Sequence, residues 1–392
     1  MTRSSGQKYP RALVIAALLA ACAAAADAQA RELVWRSAPL VGDPSSARID
    51  GDPVTIRIER YDAAGRLVLL SLAQPSNESA DAGGAVAEPP ELRATAFAYD
   101  ASGFLSAIVH QGQDASQGSA IYIRRDSEGR PLEARAQASG SLAWIASYSY
   151  SGSFDSALVV YRDQAGAPLA ADELGFGAGA SDELAVTAVR LLPGGAIAGE
   201  AWASSDARGS LSGYLALAPL SEASAEASAE NSAEAGSEDA SDGKAEGRQL
   251  PTLGFLSFPR WPGEEPWREA GPELPAPPFA APTPASPGRA DFLYDAEGRL
   301  VLARLFDAAD AIVEEARYSY DARGFLAREL RSRYAASASG EPASGELRVY
   351  RYPEGSAEGW SRRDVFIIPG YIEGVSEDWE LLPLERQTRA AR

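Results

Sequence analysis

The chain has 392 residues, 45% of them hydrophobic, and a formal charge of −19. It is long enough to bury a core, and its acidity disfavours nucleic acid as a partner. A single cysteine and a single histidine exclude a disulfide framework and a zinc or copper site of the usual His and Cys type.

Residues 1–30 read as an export signal. Arg3, Lys8 and Arg11 form a basic start, and residues 12–26 are an uncharged apolar run too short to span a bilayer. Two processing readings compete. Ala28-Gln29-Ala30 fits the small-x-small rule for signal removal, whereas residues 19–22, Leu19-Ala20-Ala21-Cys22, fit a lipobox in which Cys22 is acylated and becomes the new N-terminus. Either route predicts an exported protein, periplasmic or held at the envelope. Contact with the membrane is then expected only through an N-terminal lipid.

Residues 31–220 form the first repeat region. Tyr61-Asp62-Ala63-Ala64-Gly65-Arg66-Leu67 and Tyr99-Asp100-Ala101-Ser102-Gly103-Phe104-Leu105 share one grammar. The Asp side chain accepts from backbone amides two residues on, and Gly takes the left-handed conformation that closes a type I turn with a bulge. Looser copies run from Asp126 to Gly129, Asp163 to Gly166 and Asp206 to Gly209. Pro131 and Pro168 follow two of these glycines, which predicts strands that start late or run along an edge. Between corners, stretches such as Thr55-Ile56-Arg57-Ile58-Glu59-Arg60 alternate apolar and polar residues, so one face is buried and the other wet.

Residues 221–250 are acidic and of low complexity, with Glu222, Glu226, Glu230 and Glu234 repelling one another at helical spacing, and they are expected to be disordered. Residues 251–288 are Pro-rich and hold Phe255, Phe258, Trp261, Trp267 and Phe279, which predicts a semi-rigid strap lying along the sheet. Residues 289–392 resume the pattern, with Tyr294-Asp295-Ala296-Glu297-Gly298-Arg299-Leu300 and Tyr320-Asp321-Ala322-Arg323-Gly324-Phe325-Leu326. The expected fold is all-β: an antiparallel meander of repeated hairpins in a twisted or curved sheet, interrupted at residues 221–288. Two separate β units are the alternative.

The Tyr-Asp-x-x-Gly-Arg-Leu copies resemble the YD repeats of RHS-like and wall-associated bacterial proteins. Long arrays in that family coil into a β shell around a toxic C-terminal domain, and shorter arrays occur on surface proteins. The resemblance implies a repeat-built β protein. This array is short for a shell, with too few copies to enclose anything, and it has no Asp-Pro-x-Gly-Leu segment that would mark a cleavable toxin junction.

The inventory argues against catalysis. A Ser-His-Asp triad would have to use His110, which falls on a strand, and no Gly-x-Ser-x-Gly elbow occurs. Ser241-Asp242-Gly243-Lys244 spells Ser-x-x-Lys only inside the low-complexity stretch. Carboxylates are plentiful, so a hydrolase that acts on carbohydrate through two acids is the rival reading, but nothing in the spacing selects a pair. Each repeated Asp has a sufficient role in its own turn, with neither metal nor cofactor required. Trp202, Tyr214, Trp360, Tyr371 and Trp379 are candidate platforms for a glycan or a protein. The sequence thus points to a non-enzymatic envelope protein that binds or scaffolds an envelope protein or glycan.

Overall fold

A computed structural model describes residues 31–73, 92–111, 118–178, 184–208, 210–218, 275–334, 342–353, 362–368 and 381–391. The export signal with Cys22, Gly209, the acidic segment 221–250, Trp360, Tyr371 and Trp379 lie outside these residues. The strands before the interruption are β1 (Arg31–Val41), β2 (Arg48–Ile49), β3 (Val54–Tyr61), β4 (Leu67–Ala73), β5 (Leu92–Tyr99), β6 (Leu105–His110), β7 (Ser119–Arg125) and β8 (Pro131–Ala138). They continue with β9 (Ser141–Tyr150), β10 (Ser156–Arg162), β11 (Pro168–Ala178), β12 (Leu184–Leu191), β13 (Ile197–Ser205) and β14 (Leu211–Leu217). After it come β15 (Gly288–Tyr294), β16 (Leu300–Asp307), β17 (Ile312–Tyr320), β18 (Leu326–Tyr334), β19 (Pro342–Arg351), β20 (Arg362–Ile368) and β21 (Leu382–Ala391).

The corners repeat one geometry. Asp62 Oδ1 accepts from the amides of Ala64 at 3.0 Å and Arg66 at 2.9 Å. The Gly65 amide donates to the Asp62 carbonyl, and the Asp62 amide to the Arg66 carbonyl, both at 2.9 Å. Gly65 sits at φ 77°, where a Cβ is strained. The same pair of side-chain bonds recurs at Asp100, Asp126, Asp163, Asp206, Asp295 and Asp321. The turn from Asp307 to Asp310, readable in the sequence as a second turn between the corners at Asp295 and Asp321, is a further copy of the same geometry, with Asp310, at φ 61°, where the others have Gly. Asp is among the few residues that tolerate that conformation.

Consecutive strands pair antiparallel, and β1 pairs with both β3 and β21. The meander therefore closes into a 20-strand barrel, with the two-residue β2 attached only to β1. The open twisted or curved sheet expected from the sequence is corrected here. So is the expectation that the array is too short to enclose anything. Closure depends on the register of Leu33 with Ala391 through Pro39 with Glu385, between the two ends of the described chain, where no corner motif stands. A closed barrel has no edge. Pro131 and Pro168 accordingly open β8 and β11, each paired on both sides, at the place that Leu67 holds in β4. Strands β14 and β15, on either side of the interruption, are neighbours in register from Gly213 with Asp291 to Ala216 with Gly288.

Trp35 on β1 belongs to one apolar cluster with Ala134 on β8 and Tyr350 on β19, strands to which β1 is not hydrogen-bonded. Side chains so far apart around a ladder meet on its concave side, so this face is the inner wall. Its central strands carry small residues that are fully buried, among them Ala146, Ala188, Ala201 and Ala216, interleaved with Trp144 and Tyr161. The end of the Pro-rich stretch also lies on this wall. Phe279 joins the cluster, the Tyr318 hydroxyl donates to the Ala276 carbonyl at 2.9 Å, and a Cβ at Gly199 would stand 2.4 Å from the Pro284 ring.

Candidate binding site at the mouth of the barrel

The connections alternate between two rims, and the four full Tyr-Asp corners all fall on one of them. There each motif residue has a neighbour in the next hairpin. Arg66 clamps its own Asp62, with Nε donating at 2.8 Å, and its guanidinium lies 4.6 Å from the ring centre of Tyr99. The Tyr99 hydroxyl donates back to the Leu67 carbonyl at 2.8 Å. Tyr150 reaches Pro131, Tyr294 reaches Leu211 and Tyr352 reaches Leu326 in the same way, at 2.7–2.9 Å. Six of the seven predicted Asp residues are thus brought together on a stitched rim, while Asp163 with Gly166 turns at the opposite rim between β10 and β11; the Asp carboxylates are occupied by amides and arginines.

Other buried acids are likewise held. On the inner wall Asp172 receives a two-pronged bond from Arg190, at 2.7 and 2.8 Å, and one from the Tyr161 hydroxyl at 3.0 Å. Glu329 receives Arg331 and the Tyr350 hydroxyl, both at 2.6 Å. On the outer wall Glu315 lies between Arg304 and Arg317, and Asp364 between Arg362 and Arg386. Among the described residues no group of three or more His, Cys, Asp or Glu is placed to hold a metal ion.

Of the aromatic candidates, Trp202 projects from the outer wall with 52% of its surface exposed. Tyr214 is corrected: it faces the inner wall and is buried, pushed up to about 12 by that desolvation. The neighbours of both along the ladder are mostly small, a feature the sequence does not display.

Among the described residues the inner wall is packed along β8–β18 and less covered at the rim opposite the Tyr-Asp corners, around β1 and β3–β6. Registers place Trp35, Arg57, Leu72 and Arg93 in one row across β1, β3, β4 and β5. The adjacent row runs Leu33, Glu59, Leu70, Thr95 and His110. Paired residues share a face, so all of these point inward. Leu72, Arg93 and His110 are nevertheless exposed, so among the described residues this end of the inner wall is a mouth that solvent reaches.

Its chemistry is cationic. The Arg57 guanidinium stacks 3.8 Å from the Trp35 ring centre, and Arg389 lies 5.8 Å from the same ring. Glu59, the acid of these rows, is bound by the Tyr61 hydroxyl at 2.7 Å and by Arg57. Burial, then the neighbouring Glu59 charge, push the Tyr61 hydroxyl well up. His110 Nδ1 is 2.9 Å from Thr95 Oγ1, and partial desolvation of the ring lowers its pKa, so the imidazole is neutral at pH 7. No serine or acid completes a triad with it among the bonds it makes. Sequence reasoning missed this mouth because its residues come from six strands and carry no motif.

No family model and no curated protein matches the chain. Among solved structures, a porin-like protein from Bacteroides uniformis aligns over 92% of this chain and 96% of its own, at 11% identity and a TM-score of 0.29. A chain of the Photorhabdus luminescens Tc holotoxin pore aligns over 84% of this chain and 19% of its own, at 11% identity and a TM-score of 0.13. Likenesses this distant carry no argument about fold or function.

Proposed function

We propose that the chain is a non-catalytic, exported binding module of the cell envelope, similar in its corners to YD-repeat surface proteins. The observation that carries this reading is the mouth: a solvent-exposed, arginine-bearing end of an inner wall whose middle is packed with its own side chains and with Phe279. The hydrolase rival needs two acids facing each other across a cleft. The repeat acids instead cap turns, and the buried ones are clamped by arginines. A shell for a separate toxin is disfavoured by the same packed wall.

The barrel works in water. A membrane-spanning barrel turns an apolar band outward and keeps its polar residues inside. Here the outer wall carries Glu32 with Arg60, and the clusters around Glu315 and Asp364. Attachment to the envelope then falls to acylated Cys22, or is absent if cleavage follows Ala30.

The test is capture of the native chain from its own envelope in mild detergent, with mass spectrometry of the bait and of what copurifies. A stoichiometric protein or glycan partner supports the module, and the N-terminal mass of the bait decides between lipid and free Arg31. A bait released by alkaline carbonate with its lipid removed supports a water-facing barrel. Capture of nothing, together with turnover of a polysaccharide by the purified chain, overturns the reading.

A further inference from the structure

We propose that the mouth binds a small multivalent oxyanion, a polycarboxylate or a phosphorylated metabolite; this rests on the reading of the chain as a binding module. Three observations converge on the same few residues.

The first is charge. The chain as a whole is at −19, yet the mouth brings Arg57, Arg93 and Arg389 to the inner wall against Glu59 alone in the same rows. Glu59 is already bound by Tyr61 and Arg57. A cationic recess in an acidic protein selects a small anion that can enter it, and the acidic exterior repels long polyanions.

The second is an unspent donor. Arg57 Nε is buried and has no hydrogen-bond partner, although the other end of the guanidinium bonds Glu59. A buried donor without an acceptor is costly, and an incoming oxyanion supplies the acceptor.

The third is layout. Arg57 and Arg93 flank Leu72, one strand to either side, so their backbones are about 10 Å apart. A molecule resting on exposed Leu72 meets a guanidinium at each end, with the Thr95 and His110 pair beside Arg93. Two anionic groups are therefore engaged at once, which is why a multivalent anion is favoured over chloride or acetate.

The test is calorimetric titration of the purified full chain with citrate and, separately, with inorganic pyrophosphate, in buffer free of divalent cations. Saturable binding of either at submillimolar concentration is expected, and which one binds tells the carboxylate source from the phosphate source. Arg93→Glu, at an exposed position, should weaken it at least tenfold while the melting temperature holds. Arg57→Gln should do the same, with circular dichroism confirming the fold. No saturable heat with either anion overturns the site, as does affinity unchanged in Arg93→Glu. If Arg93→Glu still captures the envelope partner of the native chain, the module stands and the oxyanion site falls as the basis of that capture.

Discussion

The Tyr320 hydroxyl donates to the Leu300 carbonyl at 2.6 Å, joining the corner at Asp321 to the one before it around the rim. Arg299 of that earlier corner lies 4.6 Å from the Tyr320 ring centre while its Nε donates to Asp295 at 2.7 Å. The repeated motif is thus a lateral joint: Asp and Gly make the turn, Arg grips the Asp and reaches the next Tyr, and Tyr returns to the carbonyl of the preceding Leu.

Tyr320→Phe keeps the ring under Arg299 and removes only the hydroxyl. The carbonyl of Leu300 loses a partner, at a cost of about 1 kcal/mol. The melting temperature should fall by roughly 2 °C, with no change in far-ultraviolet circular dichroism. The equivalent change at Tyr99 should have a similar effect, and the two should add because the corners are far apart.

Two glycines separate backbone strain from packing. Gly129 and Gly166 sit at φ 84° and 86°, so alanine at either costs about 1 kcal/mol in backbone strain. Around Gly166 nothing lies within 4 Å of the added Cβ, whereas at Gly129 it would meet the Phe104 ring at 2.5 Å. Gly129→Ala should therefore be the more damaging, by about 1 kcal/mol. Adding Phe104→Ala should return it to the level of Gly166→Ala in urea denaturation. Equal effects at the two glycines would show that Phe104 moves aside freely.

The hairpin corners were legible in the sequence because each lies within seven consecutive residues, and turn chemistry is local. Alternation gave the two-faced strands for the same reason. Closure was not legible. Trp35 meets Arg389 across the seam through ordinary alternating strands, and a ring differs from an open sheet only in which ends pair. The turn from Asp307 to Asp310 was legible as a turn, but its likeness to the other corners was not, because Asp310 stands in place of the diagnostic Gly. The mouth escaped because Arg57, Leu72 and Arg93 meet only once register is fixed, and a one-residue slip would turn each of them outward.

Closure itself predicts a failure. Removing residues 382–391 deletes β21, which pairs with both β1 and β20, and leaves two unpaired edges with Trp35 and Val365 uncovered. Unpaired edges template aggregation. The shortened chain should elute as large aggregates in size-exclusion chromatography. A monodisperse, folded product would mean that the seam adds little to the sheet.

Acid should unfold the barrel through its clamped carboxylates. Burial alone would raise Glu329, but Arg331 and Arg348, with the bonds from Tyr350 and Arg331, outweigh it and hold its carboxyl below the usual range. At Asp364 burial also opposes, and the bonds from Arg362 and Arg386 lower the carboxyl. A folded pKa below the unfolded value means that the unfolded chain binds more protons as the pH drops. The contribution of each group is therefore present above the unfolded value of about 4 and is lost as pH falls through the folded value. The calorimetric melting temperature should hold from pH 8 to about 5 and then drop steeply. Glu329→Gln removes the charge but leaves Arg331 and Arg348 on the inner wall, at a cost of about 3 kcal/mol at pH 7. That penalty should shrink below about pH 4, where the unfolded chain takes up the proton that native Glu329 still excludes. A penalty that stays constant across the range would mean that the arginines stabilise the wall by packing and not by charge.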